Sequence, residues 1–95
     1  PQGTPVAEWN GIPIMPQATA GQEFDANNYS FKFTGTAKEA VDFYDSNLTT
    51  AGWSSMVTTS EGQGALLVYS KEDKFLTITV TSADDGTVVW MSLTQ

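Results

Sequence analysis

The chain predicts a two-layer α+β domain, with one α-helix packed on a mostly antiparallel sheet of four or five strands in the order β-α-β-β-β-β. Three observations point there. "TAKEAVDFYDSNLTTAGW", Thr36 to Trp53, has the start, face and stop of a helix. "YSFKFTG" and "FLTITV" alternate with period two. Polar turns, "EGQG", "KEDK" and "ADDG", punctuate everything after the helix.

Residues 1–11 read as a linker or N-terminal tail, since "PQGTPVAE" combines two prolines and a glycine with few core candidates. Residues 12–95 read as the single domain. In "WNGIPIMPQATAG", Pro13 and Pro16 cannot both donate to a central ladder, which predicts an extended edge segment with Ile12, Ile14 and Met15 tucked against the core. "QEFDANN" reads as a polar loop. "YSFKFTG" then sets Tyr29, Phe31 and Phe33 against Ser30, Lys32 and Thr34, a half-buried strand that Gly35 ends.

The helix opens on Thr36, with Glu39 completing a Thr-x-x-Glu capping box. Ala37, Ala40, Val41, Tyr44, Leu48 and Ala51 step by three and four into one apolar stripe, flanked by Phe43; Asp42, Asp45, Ser46 and Thr49 face outward. Gly52 stands where a left-handed residue ends a helix, and Trp53 where a Schellman motif folds the next side chain back on Leu48. Strands come next in "SSMVTTS" (weakly patterned), "ALLVYS", "FLTITVTS" and "TVVWMSLTQ", with Asp85-Gly86 as a two-residue hairpin signal. Leu76, Ile78 and Val80, with Val89, Met91 and Leu93, are assigned to the helix side. No internal repeat or heptad occurs.

Composition narrows the function. Ninety-five residues, 40% hydrophobic, make one globular domain, and no apolar run approaches the roughly 18 residues of a membrane span. Eleven acids against four lysines give a net charge of -7. This lacks the basic footprint that nucleic acid or an anionic membrane surface requires; the acidity itself reads as solubility through self-repulsion. Cysteine and histidine are absent. That excludes disulfides, thiolate nucleophiles, thiolate zinc sites and a Ser-His-Asp triad. The chain opens at Pro1 rather than Met, so a processed or trimmed product is expected.

The succession "IPIMPQA", "YSFKFTG" and "AVDFYDSNLTTAGW" resembles a set of small bacterial α+β domains of lipoproteins and other secreted or envelope proteins. Their pattern runs Pro-x-x-Pro-x-Ala, an aromatic-rich strand, Phe-Tyr, Leu and Gly-Trp. Here it falls on Pro13, Pro16, Ala18, Phe43, Tyr44, Leu48, Gly52 and Trp53, within residues 12–93. Gln17 departs from it, where such domains often have Gly. The resemblance implies a helix on an antiparallel sheet and an envelope location, and it implies no catalytic residues.

The candidate sites divide by chemistry. Phe43, Tyr44 and Trp53 match core and cap positions at every step, so they read as structure rather than as a ligand groove. The helix-free sheet face would carry Phe75, Thr77, Thr79, Val88 and Trp90 with Ser92, an aromatic-threonine surface suited to a partner or a glycan. Asp25, Asn27 and Asn28, or Asp84 and Asp85, could offer oxygens to calcium, but no EF-hand spacing accompanies them. Asx residues at turns more often bond their own backbone. Asn28-Tyr29-Ser30 and Asn47-Leu48-Thr49 fit the glycosylation pattern, irrelevant to a bacterial chain. "EGQG" lacks the Lys-Ser/Thr of a phosphate loop, and no Gly-x-Ser-x-Gly occurs.

The expectation is therefore a non-enzymatic cell-envelope or secreted module, without metal or other cofactor, that works through protein contacts or self-association. Small-ligand or glycan binding on the same face is the alternative. Membrane attachment is expected only through a lipid anchor upstream of Pro1.

Overall fold

The computed structural model describes residues 2–61 and 64–94. Among the described residues, eight strands and one helix run in the order β1 (Glu8–Trp9), β2 (Ile12–Pro13), β3 (Ala18–Asp25), β4 (Asn28–Phe33), α1 (Ala37–Thr50), β5 (Ser54–Glu61), β6 (Gly64–Lys71), β7 (Lys74–Ala83) and β8 (Gly86–Thr94). β1 and β2 form a small ribbon; the others form one six-stranded sheet, ordered β3-β4-β8-β7-β6-β5. Every neighbouring pair is antiparallel. The two-layer α+β architecture stands, but four or five strands become six plus a ribbon, and the strands before the helix are more than the one expected.

The additional strands come from segments with weak local signals. β3 runs through "QEFD", a polar run with the composition of a loop, because its ladder to β4 breaks register between Ala18 and Ala20 and again between Glu23 and Asp25. Such bulges erase the period-two alternation. The ribbon starts inside the expected tail: Trp9 is buried, stacks on Tyr29 at 5.9 Å, and donates its indole N–H to Glu23 at 3.0 Å. The packed domain therefore begins before residue 12. Of the turn expected at 61–64, Gly62 and Gln63 lie outside the described residues.

The helix obeys its sequence grammar at both ends. Thr36 is the N-cap: its hydroxyl accepts from the Glu39 N–H at 3.3 Å, while the Glu39 carboxylate accepts from the Thr36 N–H at 3.0 Å. At the other end Gly52 takes φ +98°, and the Trp53 N–H donates to the Leu48 carbonyl at 2.9 Å, with Gly52 N–H to Thr49 at 3.2 Å. This is a Schellman stop. The Lys71 ammonium donates to the Ala51 carbonyl at 2.9 Å, placing a cation at the negative end of the helix dipole. Ala40, Tyr44 and Leu48 are buried; Ala51, assigned to the stripe, is exposed because it is the C-cap.

One face of the sheet holds the core. Its cross-strand rows read Leu67, Ile78, Met91, Tyr29 and Ala65, Val80, Val89, Phe31, with Tyr69, Leu76 and Leu93 below them. The helix packs over β5, β6 and β7. The ribbon joins the same layer, tied to the helix by Tyr44, whose hydroxyl donates to the Pro13 carbonyl at 2.8 Å. Burial pushes the Tyr44 hydroxyl above its ordinary pKa. Burial, then a hydrogen bond to Asp45, pushes Tyr69 up to about 12. Leu76, Ile78, Val80, Val89, Met91 and Leu93 all lie on this face, as the alternation requires.

The β7–β8 hairpin differs by one position from its sequence signal. Ala83 pairs with Gly86, so the two-residue loop is Asp84-Asp85. Gly86 is needed for another reason: it has φ +150°, and a Cβ there would collide with the Phe33 carbonyl oxygen. Gly86→Ala should therefore cost about 2 kcal/mol through backbone strain and displacement of β4, measured by chemical denaturation. Trp53 is 9% exposed and belongs to the core cluster. Trp53→Ala should cost about 3 kcal/mol. A loss below about 0.5 kcal/mol, typical of surface changes, would mean that Trp53 does not hold the fold.

Candidate interaction face of the sheet

The second sheet face carries neither helix nor ribbon. Register fixes its rows: Val57, Val68, Thr77, Ser92, Asn28; Thr59, Leu66, Thr79, Trp90, Ser30; and Thr81, Val88, Lys32. Phe75 lies one step beyond, between Ser70 and Thr94. Phe75, Thr77, Thr79, Val88 and Trp90 thus share one surface, with Thr79 directly opposite Trp90; Phe75 sits at its margin.

The structure adds residues that the sequence pattern did not single out. Phe24 stacks on Trp90 with ring centroids 4.9 Å apart and planes at 29°. Leu66, Val68 and Val57 extend the apolar area across β6 and β5. Phe24 (47%), Phe75 (44%), Val57 (39%), Leu66 (38%) and Trp90 (38%) are the large apolar side chains most open to water on this face. Leu66 and Val68 were legible in principle, because they alternate with the buried Leu67 and Tyr69. Phe24 was not, since it sits at a bulge within a polar run.

A hydrogen-bond chain braces the aromatic pair. The Trp90 indole donates to Ser92 Oγ at 3.2 Å, Ser92 donates to Asn28 Oδ1 at 2.6 Å, and Asn28 Nδ2 donates to both Asp25 oxygens at 3.0 and 3.1 Å. Asp25 also accepts from the Asn27 N–H at 2.8 Å. That backbone bond, then Asn28, holds the Asp25 carboxyl below its ordinary pKa. Ser30, paired with Trp90, is buried and donates to the Val89 carbonyl at 3.0 Å. The ring is thus fixed from its polar edge and from its stacked face.

On this surface charge is confined to the β3–β4 side and the strand ends, and the interiors of β5 to β8 carry none. The segments Ser54–Ser60, Gly64–Ser70, Phe75–Ala83 and Gly86–Thr94 contain no charged residue, although the chain carries -7. The acids lie in the N-terminal segments, on the helix and at strand ends and turns. Lys32, on β4, is engaged by Asp85 at 2.6 Å, which holds the Asp85 carboxyl low.

The oxygens considered for calcium do not converge. Asp25, Asn27 and Asn28 close their own turn, and Asp85 is paired with Lys32. Among the described residues, no group of three or more acidic, His or Cys side chains could hold a metal ion, and no helix is long and apolar enough to cross a membrane. Among the described residues, one cleft lies between the helix start and the β7–β8 turn, and another between the helix and Ser60, Gly64 and Ala65. No family model, curated protein or solved structure matches the chain.

The stack gives a measurable coupling. Phe24→Ala and Trp90→Ala should each destabilise slightly, and a double-mutant cycle should return a coupling of about 0.5–1.5 kcal/mol. Additive effects would mean that the rings do not bind each other in solution.

Proposed function

We propose that the chain is a non-catalytic module of a bacterial cell-envelope or secreted protein, acting through protein contacts made by the open sheet face. One observation carries the reading: uncharged interiors of β5 to β8 that present Leu66, Phe75 and Trp90, with Phe24 stacked beside them, within a strongly acidic chain. Exposed aromatic anchors in a neutral centre, with charge kept to the rim, are the composition of protein interfaces. The envelope location rests on the pattern from Pro13 and Pro16 to Gly52 and Trp53, and a lipobox encoded upstream of Pro1 would test it directly.

A second reading is supported by the hydroxyls beside Trp90. Thr77, Thr79 and Ser92 flank an exposed indole, a composition that also suits a glycan. The two readings separate cleanly. Trp90→Ala should abolish retention of the protein partner in pull-downs while lowering the melting temperature by only a few degrees, with the fold kept. Partners retained in full by Trp90→Ala would refute contact through this face. A thermal-shift panel of oligosaccharides should be flat under the first reading; a saturable shift lost in Trp90→Ala would favour the second.

A further inference from the structure

The two edges of the sheet are built differently. β3 is guarded by two register breaks and by the acidic Glu23 and Asp25. The N-terminal segment also lies along it: the Gly21 N–H donates to Gly3 O at 3.1 Å, and the Gln2 N–H to Gln22 Oε1 at 3.0 Å. Bulges, charge and a covering segment are the means by which proteins stop an edge from templating another strand.

β5, at the other edge, has one register break, between Ser55 and Val57. Ser54–Ser60 contains no charge and no proline, and each of its residues is exposed on whichever face it occupies. Met56, at 56%, is the most exposed large apolar side chain of the described residues. Among those residues, only β6 is backbone-bonded to this strand. Its far side therefore presents unpaired N–H and C=O groups.

We infer that β5 pairs antiparallel with β5 of a second copy of this chain, about a two-fold axis, joining the two sheets. Self-pairing demands a strand that tolerates itself. The register that pairs Val57 with Thr59 across the two-fold axis keeps the faces aligned and brings Thr58 against its own copy on the helix side. No like charges meet at the seam, and Thr, Ser and Val are favourable cross-strand partners. The open faces fall on the same side, so Val57, Leu66 and Val68 of each copy form one apolar strip across it. The regular stretch beyond the bulge, Val57–Glu61, is short, so the dimer is weak and concentration-dependent. Because both copies are acidic, added salt strengthens it. The dimer depends on the edge and is independent of any ligand of the open face.

The test is sedimentation of the wild-type chain across concentration and salt, with backbone amide exchange at Thr58. Self-association that grows with salt and slows exchange at Thr58 is expected. T58K/S60K alters only the helix side of the edge and lowers the chain's net negative charge, yet it should raise the dimer dissociation constant about tenfold or more. Ser60→Lys alone serves if the double variant melts early. Trp90→Ala should leave the dimer in place. A monomer at every concentration, or a dimer indifferent to the lysines, would overturn the inference. A dimer lost with Trp90→Ala and kept in T58K/S60K would assign self-association to the open face instead.

Discussion

A helix about 10 Å across with its side chains covers about two strand spacings of 4.8 Å, so α1 can roof only part of a six-stranded sheet. It packs on β5, β6 and β7. On the inner face of β4 the helix reaches Phe31 through Tyr44, and Tyr29 is left needing cover. The N-terminal ribbon supplies it. Trp9 against Tyr29, and Tyr44 to the Pro13 carbonyl, join ribbon, helix and sheet into one layer. The chain before residue 12 is therefore part of the roof, and the width of one helix is the reason.

The stop of the helix sets the course of the chain beyond it. The Gly52 turn and the Trp53-to-Leu48 bond send the chain out of α1 directly into β5, with Trp53 anchored in the core. β5 thus begins at the rim of the roof, and Ser54–Ser60 are exposed on both faces. The Lys71 ammonium on the Ala51 carbonyl ties the β6–β7 turn to the same point. One local motif fixes where the roof stops and where the exposed edge starts.

Local rules made the helix legible, because its caps are satisfied by residues within a few positions of one another. They also made β7 and β8 legible, since one face is packed and the other is not, and the alternation of Leu76, Ile78, Val80 and Val89, Met91, Leu93 survives intact. β3 was lost because its bulges interrupt the period and its second half is polar. The ribbon was lost because Pro13 and the short "WNGIP" reversal have no periodicity to read. The pairing of β4 with β8 is set by contacts distant in sequence, which no local pattern encodes. For the same reason Thr77, Thr79 and Trp90 could be placed on one face from sequence, while Phe24, which reaches that face from the far side of β4, could not.

The open face and the free edge obey different physics. On the face, Phe24 and Trp90 gain most by removing apolar area from water, and that gain depends little on what the partner's backbone does. At the edge, the gain comes from satisfying backbone groups, and side chains mainly decide which strands are tolerated. In a chain of charge -7 both need the same background: a neutral zone across which another body can approach. The sequence provides it by confining every acid to the N-terminal segments, helix, strand ends and turns, leaving the interiors of β5 to β8 uncharged. Charge and exposed apolar area are thereby separated within a small domain, with the acids on the helix, in the N-terminal segments and at strand ends and turns, and Leu66 and Trp90 within the uncharged strands.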